Sequence, residues 1–174
     1  MMNKKVFNEG GLRIDFTACD RAEQFDVSNK NSHGMKAVDF IAETSDFLYF
    51  VEIKDFQNTN APEEQKKDDL EMLIAAGTGK KAVFPLEMGA KIKDSLLRKY
   101  AEGDKFTKNI MFLLVINLDK LGEFERGLLK TKISGHVPTG LNVARFNAFT
   151  KISFELVNKE QLIQYGIVCT DNLA

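Results

Sequence analysis

Three ionisable side chains sit where an apolar strand would not ordinarily hold them. The stretch FLYFVEIKDF (47–56) has the composition of a buried β-strand, yet Glu52 and Lys54 lie in its middle, and Asp39 lies in a second apolar run, MKAVDFIAE (35–43). Side chains on a strand alternate between faces, so Glu52 and Lys54 share one. Thr44-Ser45-Asp46, which joins the two runs, is short enough for a hairpin. With Asp39 opposite Glu52, the loop is centred on Ser45-Asp46. Val38, Phe40, Ala42, Tyr49, Val51 and Ile53 then fall on one face; Asp39, Glu52 and Lys54 fall on the other, with Ile41, Leu48 and Phe50 nearer the turn. A slip of one residue would carry Asp39 to the face opposite Glu52 and part the apolar residues from their partners. The hydrophobic pattern therefore selects the register that clusters the charges.

Buried charges cost heavily unless they are paired or bind a metal. Two adjacent carboxylates repel, and one takes up a proton unless a cation lies between them. A divalent ion removes the conflict; Mg²⁺ is typically held by one or two carboxylates, with water and phosphate oxygens completing its shell. The competing explanation is a cross-strand salt bridge on a half-exposed face, a common arrangement that contributes little.

The pair VDF (38–40) and EIK (52–54), on adjacent strands with a helix to follow, resembles the catalytic hairpin of the PD-(D/E)XK nuclease superfamily, the restriction-endonuclease-like fold. The resemblance is close over the hairpin. Elsewhere it is one of element order, against the family's α-β-β-β-α-β core. It departs from the motif at Val38, where proline is usual. A second E-x-K, Glu64-Gln65-Lys66, reads as a solvated first helical turn, so strand context rather than the triplet carries the likeness.

The resemblance implies a metal-dependent nuclease that hydrolyses phosphodiester bonds in DNA, or in RNA. Asp39, Glu52 and the backbone carbonyl of Ile53 would hold Mg²⁺, with Mn²⁺ as a substitute, and Lys54 would orient or activate the attacking water. The family often adds an acid from its first helix, for which Glu23 and Asp26 both qualify. It also often places a polar residue from the later helix over the site. Here Lys91, Asp94, Ser95 and Arg98 form a stripe at i, i+3, i+4, i+7, and Lys91 and Arg98 suit phosphate contact. Nucleic acid is the implied partner, DNA ahead of RNA, and a homodimer suits so small a nuclease. The alternative is a catalytically inactive protein of the same fold acting as a binding module.

The elements that must position these residues follow from periodicity. GLRIDF (11–16) and KISFELVN (151–158) alternate as half-buried strands, and NIMFLLVIN (109–117) is almost wholly apolar, as a central strand covered on both faces should be. Helices are expected over 18–26 (Ala18, Ala22 and Phe25 on one side), 63–76, 86–102 (Ile92, Leu96, Leu97 and Tyr100 as its apolar stripe), 123–134 and 159–166; the run 138–149 has no clear period. The order predicts an α/β protein, a mixed sheet flanked by helices, in one domain over 1–174.

Composition bounds the rest. The chain has 174 residues, 44% hydrophobic, and a formal net charge of −1, which is not the balance of a protein that coats nucleic acid. A local basic surface remains open, from Lys66, Lys67, Lys80 and Lys81 together with Lys91, Lys93, Arg98 and Lys99 on the middle helices. The N-terminus lacks the apolar segment of a secretory signal, no run is long enough to span a bilayer, and Cys19 and Cys169 form no framework; the expectation is a cytoplasmic protein with no membrane partner. GTGKK (77–81) lacks the P-loop spacing and reads as a loop ending a helix. His33 and His136 are isolated in Gly-flanked loops and offer no zinc spacing, and Phe47, Phe50 and Phe56 read as core rather than base-stacking residues.

Overall fold

The apolar run 110–116, bounded by Asn109 and Asn117, is a strand because both of its faces are covered. The computed structural model describes residues 5–26, 34–57, 62–64, 73, 83–119, 121–139 and 151–172. Among these, eight strands form two sheets: β1 (Val6–Glu9), β2 (Leu12–Asp15), β3 (Arg21–Gln24), β4 (Phe40–Glu43), β5 (Phe47–Asp55), β6 (Asn109–Asn117), β7 (Ile152–Val157) and β8 (Val168–Asp171). The larger sheet has the order β3-β4-β5-β6-β7, the smaller β1-β2-β8. In the larger one, β3, β4 and β5 run antiparallel, whereas β5, β6 and β7 run parallel. The parallel steps are bridged by helix α1 (Val83–Ala101) between β5 and β6 and helix α2 (Glu123–Ser134) between β6 and β7. A 3₁₀ helix (Glu160–Tyr165) ends at Gly166, whose φ of 74° suits glycine. No helix among the described residues is long and apolar enough to cross a membrane.

Period-2 alternation divides the core. Leu48 and Phe50 of β5 and Ile110, Phe112, Leu114 and Ile116 of β6 pack with Phe84, Met88, Ile92 and Leu96 of α1. Tyr49, Val51 and Ile53, with Leu113 and Val115, pack on the opposite face with Phe7, Leu12, Ile14 and Phe16 of the small sheet. The result is a mixed α/β fold in which a central five-stranded sheet has helices on one face and a three-stranded sheet on the other.

Several expectations are corrected. Residues 18–26 are not helical: Arg21–Gln24 is the edge strand β3, paired with β4 through Arg21↔Glu43 to Gln24↔Phe40. Ala22 and Phe25 lie in the two different core clusters, so their helix-like spacing is incidental, and pairing with β4 overrides it. The strand expected over 35–43 is ladder only from Phe40. Val38 joins the helix-side core rather than the face of Phe40. On α1, Ile92 and Leu96 are buried as expected, but Leu97 (58% exposed) and Tyr100 (62%) face outward, and Phe84 and Met88 complete the buried stripe instead. Gly89 lies on that helix because a Cβ there would come within 2.5 Å of the His136 Cβ, so His136 is packed against α1 rather than standing free. Strands β1 and β8 were not expected. Of the helix expected over 63–76, only Glu63, Glu64 and Leu73 are described, and all three are helical; GTGKK, His33 and 140–149 lie outside the described residues.

Candidate functional site

The β4–β5 register runs Phe40↔Val51, Ile41↔Phe50, Ala42↔Tyr49 and Glu43↔Leu48, which continued by one residue sets Asp39 opposite Glu52. The ladder itself stops at Phe40, and the manner of its stopping builds the site. Continued further, it would pair Val38 with Ile53. Instead the Ile53 N–H donates to Asp39 Oδ2 at 2.7 Å, and the Val38 N–H donates to Ser95 Oγ on α1 at 3.0 Å. A strand residue directs its N–H and C=O to the same edge, so the Ile53 carbonyl faces the Asp39 edge, and the ladder donor it would have used is spent on Ser95.

Glu52 is fully buried and Asp39 nearly so. Both are reached by Lys91 from α1, whose Nζ lies 2.6 Å from Glu52 Oε1 and 3.5 Å from Asp39 Oδ1. Lys54, two residues along β5, approaches the same Glu52 Oε1 at 2.9 Å. Glu52 Oε2 is buried and has no hydrogen-bond partner among the described residues. Burial, and then the Asp39 carboxylate, push Glu52 up to about 7 against the pull of Lys54 and Lys91. Burial disfavours the Lys54 ammonium, but the Glu52 carboxylate and its hydrogen bond outweigh that and hold Lys54 above its ordinary value. The three residues expected to form a site are thus brought together, and Ile53 with them.

The later-helix stripe has a different duty from the one expected. Asp94 Oδ2 accepts the Lys36 N–H at 2.9 Å, Ser95 accepts from Val38, and Arg98 Nη1 donates to the Phe25 carbonyl at 2.9 Å with its guanidinium over the Phe25 ring. Asp94, Ser95 and Arg98 therefore hold the backbone on either side of Asp39. Arg98 is a clamp on Phe25, and of the stripe only Lys91 reaches the carboxylates. Lys99 is engaged by Glu23 and Glu102, both at 3.5 Å, while Lys93 is exposed. Lys66, Lys67, Lys80 and Lys81 lie outside the described residues. Phe50 is core, and Phe47 and Phe56 pack against it.

Neither candidate for the additional acid sits on a helix of the expected kind. Glu23, on β3, is paired with Lys99 away from Asp39. It lines a cavity of about 170 Å³ toward the hairpin end of β3, β4 and β5, together with Arg21, Glu43, Leu48, Lys99 and Asp104; Asp39, Glu52 and Lys54 do not line it. Asp26 lies just beyond β3, and its charge, with that of Asp39, raises Glu9. Glu9 is the acid that sequence reasoning missed. It ends β1, and burial, then repulsion from Asp39 and Asp26, push it up to about 7, while Lys91 and Lys54 draw it down. The turn after it docks on β5, where the Gly11 N–H donates to Asp55 Oδ2 at 3.0 Å. Gly10-Gly11 before the alternating run Leu12–Asp15 was the available signal, a two-residue hairpin loop.

Chemically, the corner offers two carboxylates, one carbonyl, an unused buried carboxylate oxygen and two ammonium groups. The oxygen-only donor set suits a hard divalent cation that keeps part of its water, and the orphaned Glu52 Oε2 is the atom such an ion would satisfy. Among the described residues no three Asp, Glu, His or Cys side chains are grouped as a metal site, so an ion here would depend on water or substrate for the rest of its shell. Comparisons with protein-family models, curated proteins and solved structures give no match.

Proposed function

We propose that the protein is a Mg²⁺-dependent phosphodiester hydrolase acting on nucleic acid, DNA or RNA, with Mn²⁺ as a substitute ion. The observation that carries this reading is Glu52: a fully buried carboxylate with one oxygen contacted by two ammonium groups and the other left without a partner, opposite Asp39 at the point where the ladder breaks. Asp39, Glu52 and the Ile53 carbonyl would hold the ion. When bound, it would supply Lewis-acid assistance and make a nearby water more acidic. Lys54, anchored on Glu52 and 32% exposed, would orient that water and stabilise negative charge developing on the phosphate. The PD-(D/E)XK resemblance of VDF and EIK is consistent with these roles.

A second reading is favoured by a specific observation as well. Lys91 already bridges the two carboxylates, and a binding module on the same fold would use that pairing structurally. The two are separated by cleavage of plasmid, single-stranded DNA and RNA in Mg²⁺ or Mn²⁺, comparing wild type with Asp39→Asn and Lys54→Met. The nuclease reading requires both variants to lose on the order of 100-fold or more in rate. Equal cutting by wild type and variants would remove the site assignment, and no cutting, with no Mn²⁺-induced rise in Tm, would leave the binding module.

A further inference from the structure

The carboxylate pair has a cation of its own, delivered from a different element. We infer that Lys91 is the resident counter-ion of the site, which a divalent cation must displace from between Asp39 and Glu52, so that Lys91 sets how readily the site loads. This deepens the metal reading above and rests on it.

The geometry distinguishes Lys91 from Lys54. Among the described residues Lys54 is ion-paired with Glu52 but not with Asp39, as the same-face neighbour of Glu52 on β5. Lys91 bridges both acids from α1, at 2.6 Å and 3.5 Å, and so supplies between them the positive charge that a shared cation would otherwise bring. A purely structural arrangement would distribute two ammonium groups over the two oxygens of Glu52. Here both are on Oε1, where they repel each other, while Oε2 has no partner among the described residues. If Lys91 departs, Oε1 keeps Lys54, so no buried oxygen is newly orphaned.

Lys91 is also built to leave. Lysine carries a compact point charge on a flexible four-carbon stem, and its side chain here is 15% exposed, so it has a route outward. Glu87 lies one turn earlier on α1, at the i−4 position where helical side chains meet. Its carboxylate, bonded to Lys36 at 2.7 Å, already feels the charges of Lys54 and Lys91, and offers the displaced ammonium a counter-charge.

The test is Mn²⁺ binding by isothermal titration to wild type and Lys91→Met, which keeps the stem and removes the charge. The variant should bind Mn²⁺ at least about tenfold more tightly, because a unit positive charge a few ångströms from the ion has been removed. It should be less stable than wild type in EDTA and gain more in Tm on adding Mn²⁺. Measurable binding to wild type with equal or weaker binding to Lys91→Met overturns the inference but leaves the metal reading standing. No binding to either protein overturns both. Should Lys91→Met fail to fold, amine acylation of wild type read by mass spectrometry decides. Labelling of Lys91 should rise several-fold with saturating Mn²⁺ while that of Lys108, engaged by Glu43 at the other end of the hairpin, stays constant. An unchanged Lys91 overturns the inference.

Discussion

Raising the pH from 5 to 8 should destabilise the metal-free protein, and Glu52 should account for most of the loss. Burial and the Asp39 carboxylate lift this glutamate from its ordinary 4.5 to about 7. Between those values the folded protein retains a proton that the unfolded chain has released, so stability falls as pH rises through the window. A lift of that size corresponds to about 3 kcal/mol, nearly all of it between about pH 4.5 and 7. Glu9 acts in the same direction but is half-exposed, so solvent screening makes its share smaller. Other shifted groups act elsewhere. The raised Lys54 contributes stability that is full below its ordinary 10.5 and lost as pH rises through its folded value, and the lowered Asp15 and Glu87 contribute stability that is full above their ordinary values and lost as pH falls through their folded ones. The assay is urea unfolding in EDTA at a series of pH values, wild type beside Glu52→Gln. Wild type should lose about 2–3 kcal/mol between pH 5 and 8, while the variant should keep only the small slope due to Glu9. An unaltered slope in Glu52→Gln would refute the buried, acid-paired description of this residue, whatever the absolute stabilities.

Two further changes probe how Asp39 is held and how α1 is seated. Ser95→Ala leaves the buried Val38 N–H without its acceptor, and should cost about 1–3 kcal/mol in urea unfolding; a neutral result would mean that another acceptor takes over and that Ser95 does not anchor the approach to Asp39. Gly89→Ala places a Cβ 2.5 Å from the His136 Cβ and 2.8 Å from its carbonyl oxygen. Overpacking of that kind costs about 1–3 kcal/mol, more than the ~1 kcal/mol that alanine returns as a better helix former, so thermal unfolding should show a lowered Tm. A raised Tm would show that the contact relaxes freely.

How much of this was legible in the sequence depends on which forces act locally. The hairpin register was, because eight buried apolar positions on β4 and β5 must each find the correct face and only one register satisfies them. The apolar run of β6 was, for the same reason doubled. Strand β3 was not: Ala18, Ala22 and Phe25 mimic a helical face, and only the open edge of β4, fixed elsewhere in the chain, makes the segment extended. The charge cluster was legible in Asp39, Glu52 and Lys54 because β geometry places them. Glu9 was not, since it arrives on a separate hairpin whose docking depends on contacts such as Gly11 with Asp55. Nor was the duty of Arg98, whose polar stripe predicts a surface facing a ligand but serves backbone groups of the chain itself.

The end of the β4–β5 ladder argues more strongly for a site than the E-x-K triplet does. A cross-strand salt bridge is compatible with an unbroken ladder and would need no help from α1. Here two backbone donors are diverted, the Ile53 N–H to a carboxylate and the Val38 N–H to a buried serine hydroxyl. The diversion fixes Asp39 through its own side chain and deprives the Ile53 carbonyl, which faces that edge, of its ladder donor; the neighbouring Glu52 Oε2 is buried without a partner among the described residues. Each substitution of a side-chain bond for a ladder bond brings no evident gain in packing. Together they gather oxygen ligands around one point at the end of a strand.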